Sequence, residues 1–454
     1  MLEEINISLI EECEMYILGH KIFVRLKDIP MYLSKKTKDS IRNRYSHSVE
    51  VGLGTEYLLN HVSRQLGNNI DLNFFKIAKI IGLVHDIGHT AFSHDGEMIL
   101  DRTLRDATDI YETPIRFNAN LNNFRRIEKY NLFDMLPQDI REYALASLVK
   151  RKKEISEYPE YLYLKDYFSS AIEIEKKYLE SKGIFIQHRQ NKTILCQAMD
   201  IADENRYRVT DIIDALNIYS KEKLQEILLR GVTSGVRVKE LRKLCTISVK
   251  HIERNGHIDK MTIQDLLIRL LNQESHAKTE FQNVMNNIAI AFNRNFILDK
   301  NAKLIPVSEE IEQLRKDFHL IASKYLWGSK KVQNIKKPFN HYFATVVEYF
   351  IYEDFDKEML DSSTYKQDFI RLEKSKEHVK IIRYKKLLLL RNFLGGLTNH
   401  KIIDLYKRIK LSTFEKRLGH TLDKREKFLK KETIAAFDKS LDKYHQRFLE
   451  RRTA

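Results

Sequence analysis

Residues 74–97 read FFKIAKIIGLVHDIGHTAFSHDGE, and the first eleven of them decide the fold. Apart from Lys76 and Lys79, the run through Val84 is apolar on every side of a helix, the mark of a helix sunk in a core rather than laid along a surface. It then ends on His85 and Asp86, with His89, His94, Asp95 and Glu97 close behind. Buried ionisable groups are costly unless they are paired, hydrogen-bonded or bound to metal. Three histidines and three acids in thirteen residues need such a partner.

Outward from this helix the pattern repeats. Leu and Ile recur at spacings of three and four among Lys, Glu and Asp over most of the 454 residues, which predicts a mostly helical, all-α chain. Six prolines and fifteen glycines are too few for the many tight turns of a sandwich or barrel. Pro30 breaks or bends the lead-in segment. Two apolar-rich helices are expected within 41–100, and a polar, Asn-rich loop or short helix over 101–130. Helices are expected again over 138–180 and 193–219, then a boundary near 219–236, a turn at 251–262 and further helices beyond. His89, four residues after His85, shares its face if the helix continues, although Gly88 loosens it there.

Hydrophobic residues make up 43% and charged residues 31% of the chain, an ordinary balance for a water-soluble protein. The net charge of +15 draws polyanions such as nucleotides or nucleic acid. Much of it lies in KRLGHTLDKREKFLKKETIAAFDKSLDKYHQRFLERR (416–452), where interspersed acids favour a solvated helix. The start, MLEEINISLIEECEMY, has neither the basic residues nor the apolar stretch of a secretory signal. LLLL at 387–390 is far short of a membrane span. Cys13, Cys196 and Cys245 are isolated thiols with no paired spacing. These features fit a cytoplasmic protein with no membrane partner.

Three segments carry candidate chemistry. His85-Asp86 ends the buried helix. RNRYSHSVEVG (42–52) places His47 at a helix start near Arg42 and Arg44, which would keep the imidazole neutral and suit phosphate oxygens. CQAMDIADENRYRVTDIIDAL (196–216) gathers Asp200, Asp203, Tyr207, Asp211 and Asp214 on one helical face. Alone, that face reads as solvated; in a cleft, its repelling carboxylates require a cation. Two histidines and two aspartates from separate helices make a mixed N/O site for one divalent ion, which polarises phosphoryl oxygens and activates water. His94 and Glu97 would supply proton transfer and the arginines would hold phosphates. GxxxxGK[ST], GxSxG, HExxH and CxxC are all absent.

The order His47, His85-Asp86, Asp203 resembles that of the HD-domain phosphohydrolases, and within them the dGTPase-like deoxynucleoside triphosphate triphosphohydrolases. HDIGHTAFSHDGE is similar to their HD-x-G-[HN]-x-P-F-[GS]-H-x-G-E signature. DENRYRVTD resembles their Asp-x3-Tyr-x3-Asp helix, with Asp203, Tyr207 and Asp211 in those places. RNFLGGLTNHKIIDLYKRI (391–409) resembles their late D-Y-I-x-G-M-T-D-x-[YF]-A-x-x-L-Y segment. VRLKDI (24–29) and FNANLNNFR (117–125) are partial likenesses.

The resemblance implies an HD-domain helical core over 1–220 and a helical region over 221–454 that completes the pocket or an oligomer interface. It implies that His47, His85, Asp86 and Asp203 hold one divalent ion of the Mn, Mg, Fe, Ni or Zn kind. His94 is then the catalytic histidine, Glu97 orients it, and His89 joins them at the reacting centre. Arg44, with Arg42 nearby, contacts phosphate; Tyr207 meets the sugar–phosphate and Asp211 the sugar 3′-OH. The implied reaction is attack of water at the α-phosphorus of a dNTP, giving deoxynucleoside and tripolyphosphate. An oligomer is implied, with nucleotide or single-stranded DNA as effector. Three positions depart from the pattern. Met31 stands where a sugar-checking Gln is usual, Ala91 where a proline is, and Leu397-Thr398-Asn399 replaces M-T-D.

Two other functions share these residues. An HD-type nuclease or phosphodiesterase acting on single-stranded nucleic acid would use the positive charge. A nucleotide-sensing protein with a vestigial site would have no need of His94 and Glu97.

Overall fold

In the computed structural model of the chain, two helices, Arg44–Gln65 and Leu72–Val84, hold the centre of the fold. The structure describes residues 6–31, 42–67, 70–150, 155, 158, 161–185, 187, 192–247, 258–272, 277–353, 357–360 and 363–418. Asn43 starts the first helix, its side chain accepting the Ser46 N–H at 3.0 Å, as an N-cap should. The second buries Phe74, Phe75, Ile77, Ile80, Ile81, Leu83 and Val84, so its all-round apolar sequence is used on all sides. The two cross at Gly52 and Gly82. A Cβ on Gly82 would lie 2.6 Å from Gly52 Cα and 2.9 Å from Thr55 Oγ1, an approach that only a residue without a side chain permits. The crossing draws the first turn of one helix, with His47, towards the end of the other, which His85 follows.

A third helix, Ile194–Ala215, is capped by Thr193, whose hydroxyl accepts the Cys196 N–H at 3.1 Å. It runs through two hydrophobic clusters. Ile194, Leu195, Ala198, Met199 and Ala202 pack with Phe74, Ile77 and Phe124. Val209, Ile212 and Ala215 pack with Leu266, Phe281 and Phe318. Asp203 sits between these two stretches of the helix.

The all-α expectation is borne out. Among the described residues the strand content is one short antiparallel pair, Phe296–Leu298 with Leu304–Pro306, in the register Ile297 opposite Ile305. No helix among them is long and apolar enough to cross a membrane. Cys13, Cys196 and Cys245 are buried free thiols. Two local expectations need correction. The polar stretch 101–130 is largely helical, within Ser93–Thr108 and Ala119–Lys129, because Leu100, Leu104, Leu121, Phe124 and Ile127 give it buried stripes. The helix before His85 ends at Val84, so His85 and His89 are not stacked on one helical face. Residues 251–257, in the expected turn, and 419–454, with nearly all of the basic terminal segment, lie outside the described residues.

The chain forms two compact units, Met1–His89 with Phe117–Lys336, and Thr90–Arg116 with Lys337–Ala454. The first contains the three helices above. The second includes the helices Ser93–Thr108 and Val379–Leu394. Tyr111 and Tyr384 pair edge-on and donate to the Lys380 and Thr113 carbonyls at 3.2 Å each.

Candidate metal centre

His85 caps the end of its helix and turns its ring back on it: Nδ1–H donates to the Gly82 carbonyl at 2.7 Å. That bond fixes the proton on Nδ1 and leaves Nε2 a lone pair directed away from the helix. Nε2 is buried and takes no hydrogen bond among the described residues. It lies 3.4 Å from Asp86 Oδ1 and 3.6 Å from Asp203 Oδ1. His47 brings its own Nε2 to 3.0 Å from Asp203 Oδ1 and 3.9 Å from Asp86 Oδ2. Ligand atoms of His47, His85 and Asp203 all fall within 4.8 Å of one another. Two imidazole nitrogens and two carboxylates converge, and one of the nitrogens, His85 Nε2, is buried without a hydrogen-bond partner among the described residues, a set that fits a single divalent cation.

The electrostatics match this donor set. Burial, with His85 adding to it and Asp203 and Asp86 opposing, depresses the His47 pKa, so the ring favours the neutral form; the effect expected of Arg42 and Arg44 is supplied by burial instead. Burial also pushes His85 down, but Asp86 and Asp203 outweigh it and leave its pKa raised; a dication in their midst would reverse that balance. Burial pushes both carboxylates up, yet each is held well below the usual range. Arg44 dominates the opposing pull on Asp86, and Lys150 that on Asp203.

Arg44 forms a buried ion pair with Asp86 through Nη1 and Oδ2. Lys150 Nζ lies 3.0 Å from Asp203 Oδ2 and 3.6 Å from Asp200 Oδ1. Lys150 is a site residue that pattern reading misses, because SLVKRKKE resembles any solvated charged run. Asn122 and Asn123 are missed too. Asn123 donates to the His85 carbonyl and accepts the Gly88 N–H, both at 2.5 Å. Asn122 donates to the Gly88 carbonyl at 2.7 Å. Together they lock the turn that follows His85, which explains the asparagines in a segment expected as loop or short helix.

The other candidates divide by position. His89 turns Nε2 to 3.2 Å from Asp86 Oδ1, and its carbonyl accepts from Arg25. Arg42 is engaged with Glu50 and lies 3.8 Å from Asp214. Arg206 grips the same Glu50 with two bonds, at 2.7 and 2.9 Å. Tyr207 is half-buried, while Asp211 and Asp214 are 6% and 2% exposed, so the acidic face is not the solvated one it suggests alone. Burial pushes Asp211 up to about 7, against the pull of a hydrogen bond from Trp327. His94 and Glu97 belong to the second unit, on Ser93–Thr108. There His94 Nδ1 lies 3.3 Å from Glu97 Oε2, with the imidazole 77% exposed.

The chain is similar in sequence to several curated proteins. Over 206 residues it is 29% identical to the deoxyguanosinetriphosphate triphosphohydrolase-like protein 2 of Vibrio cholerae, covering 44% of this chain and 45% of that protein. A protein of the same name from Mesorhizobium japonicum is 26% identical over 202 residues, 40% of each. The chain thus spans under half the length of these two. The deoxyguanosinetriphosphate triphosphohydrolase-like protein of Listeria monocytogenes is 23% identical over 450 residues, 85% of this chain and 90% of that protein. No family profile matches the chain. These relatives bear out the resemblance to the dGTPase-like family.

Proposed function

We propose that this dGTPase-like chain is a metal-dependent triphosphohydrolase that cleaves a dNTP at the α-phosphorus into deoxynucleoside and tripolyphosphate. The observation that carries this is the free, buried Nε2 of His85, held by its bond to Gly82 among Asp86, Asp203 and His47. His47, His85, Asp86 and Asp203 would hold the ion. When bound, a divalent cation supplies Lewis-acid polarisation of a phosphoryl oxygen and a more acidic water.

The chain's own residues do the rest. Arg44 and Lys150 each pair with a carboxylate that the ion would claim. Once those carboxylates face a dication, both cations are available to phosphate oxygens, Arg44 through a planar fork and Lys150 as a point charge. By the sequence resemblance, His94, with Glu97 beside it, would exchange a proton in the reaction, and His89 would orient through Asp86. Tyr207 and Asp211, one and two turns beyond Asp203, address the sugar. Assembly as a homo-oligomer, with a nucleotide or single-stranded DNA effector, belongs to the same proposal.

The test is product analysis by ion exchange. The protein is incubated with each dNTP and rNTP, singly and mixed, with Mn²⁺ or Mg²⁺, beside Asp86→Asn. Tripolyphosphate with deoxynucleoside, absent from the variant, supports the proposal. Cleavage of single-stranded nucleic acid with every nucleotide intact would replace it with the phosphodiesterase alternative, which the +15 charge favours.

A further inference from the structure

Trp327, the chain's single tryptophan, ends a π-helical segment, Ile321–Trp327, that continues the Glu309–Leu320 helix. π-Helical turns are rare, poorly favoured and frequent at functional sites. This one is closed by the Gly328 N–H donating to the Ser323 carbonyl at 2.9 Å. Tyr219 OH shares a hydrogen bond with Ser329 Oγ at 2.6 Å, and Gln333 donates to the Trp327 carbonyl at 2.9 Å. The Lys221–Gly231 helix makes room for it. A Cβ on Gly231 would fall 2.3 Å from Ile321 Cγ1, so only glycine lets the segment seat there.

The extra residue per turn swings the indole onto the acidic helix face. Trp327 Nε1–H donates to Asp211 Oδ2 at 2.5 Å, the hydrogen bond found at that carboxyl among the described residues. Asp211 Oδ1 is left as an acceptor. Asp211 lies two turns past Asp203, about 12 Å along the helix at 1.5 Å per residue. Asp214, Arg42 and Asp203 are its charged neighbours, and none is a neutral donor able to set the carboxyl plane.

We infer that Trp327 is a specificity-determining positioning residue. Its indole N–H fixes one oxygen of Asp211 so that the other meets a sugar hydroxyl in a single orientation. This deepens the proposed function and rests on it. A π-helical turn is the means by which the chain brings an uncharged side chain with a donor and no acceptor to that spot.

Trp327→Phe removes the N–H and keeps an aromatic ring. The experiment measures kcat and KM of both proteins for a dNTP and for the matching 2′,3′-dideoxynucleotide, which lacks the 3′-OH. Wild type should lose about tenfold in kcat/KM on the dideoxy substrate, the order expected for one hydrogen bond to a charged group. Trp327→Phe should lose a similar factor on the dNTP, mostly in KM, and little more on the dideoxy substrate. That non-additivity marks a shared interaction. A merely structural role would lower both substrates equally, and equal losses, or none, overturn the inference while leaving the triphosphohydrolase intact. If wild type hydrolyses no nucleotide, the proposed function fails first and takes this inference with it.

Discussion

The side-chain oxygen of Asn399 accepts the backbone N–H of Phe92 at 3.0 Å, tying a residue late in the chain to the turn that introduces His94. Phe92 and Ser93 both have positive φ, 59° and 57°, and neither is glycine. Two adjacent left-handed residues cost on the order of 1–2 kcal/mol each. Phe339 and Phe343 pack on the Phe92 ring, and with Asn399 they hold the turn in place. Strain of this kind persists only where the surroundings over-determine it.

The acceptor, not the amide, is what this position needs. Asn399→Asp should therefore keep stability and turnover close to wild type. Asn399→Leu should lower stability by about 1–3 kcal/mol, the cost of a buried unpaired N–H, and reduce turnover through His94. Thermal melts with single-turnover rates test this; equal behaviour of the two variants would refute it.

Asp86 and Arg44 are both nearly buried, so Asp86→Ala strands a buried guanidinium. We expect it to cost about 3–5 kcal/mol, whereas Asp86→Asn costs less and loses Mn²⁺ binding all the same. Chemical denaturation with calorimetric Mn²⁺ titration separates the two effects. Full stability in Asp86→Ala would show that Arg44 does not depend on the pair.

Mn²⁺ should stabilise the native chain by mass action, about 2.7 kcal/mol at a hundredfold excess over Kd. Chelator should remove this increment, and His47→Gln should show none of it. An equal rise in melting temperature for His47→Gln would place the ion elsewhere.

Asp211 has a folded pKa of about 7, above the ordinary carboxyl value of roughly 3.9. The folded state thus holds a proton that the unfolded state has released between those values. Its contribution to stability is present below about pH 4 and is lost as pH rises towards 7. Asp211→Asn should therefore gain stability over wild type across that window and keep a constant lead above it. Melts from pH 4.5 to 8 give the comparison, and a constant difference throughout would contradict the assignment. Trp327 emission should titrate over the same range in wild type and stay flat in Asp211→Asn.

Much of the centre was legible because its elements are locally encoded. A run apolar but for Lys76 and Lys79 that ends in His-Asp reads as a buried helix leading to buried polar groups, and Asp203, Tyr207 and Asp211 fall in line at helical spacing. What periodicity could not supply was tertiary. Lys150 looks like any lysine in a charged run until Asp203 lies 3.0 Å away. The π-helical turn that aims Trp327 breaks the 3.6-residue rule on which such reading depends. Asn399 finds Phe92 across 307 positions of sequence, beyond the reach of any local signal. His89 was expected on the face of His85 only if the helix continued past Gly88; the helix stops at Val84 and a turn locked by Asn122 and Asn123 takes over.

The contact of Gly52 with Gly82 has one more consequence. Gly52 is five residues from His47 and Gly82 three from His85, and nothing but backbone separates the two helices there. The crossing therefore acts as a gauge block for the gap between the histidines. A single methyl group inserted at either glycine would be a shim, prising the ligands apart without altering any of them. The gap that an ion between His47 and His85 would have to fit is thus set by two residues that have no side chain.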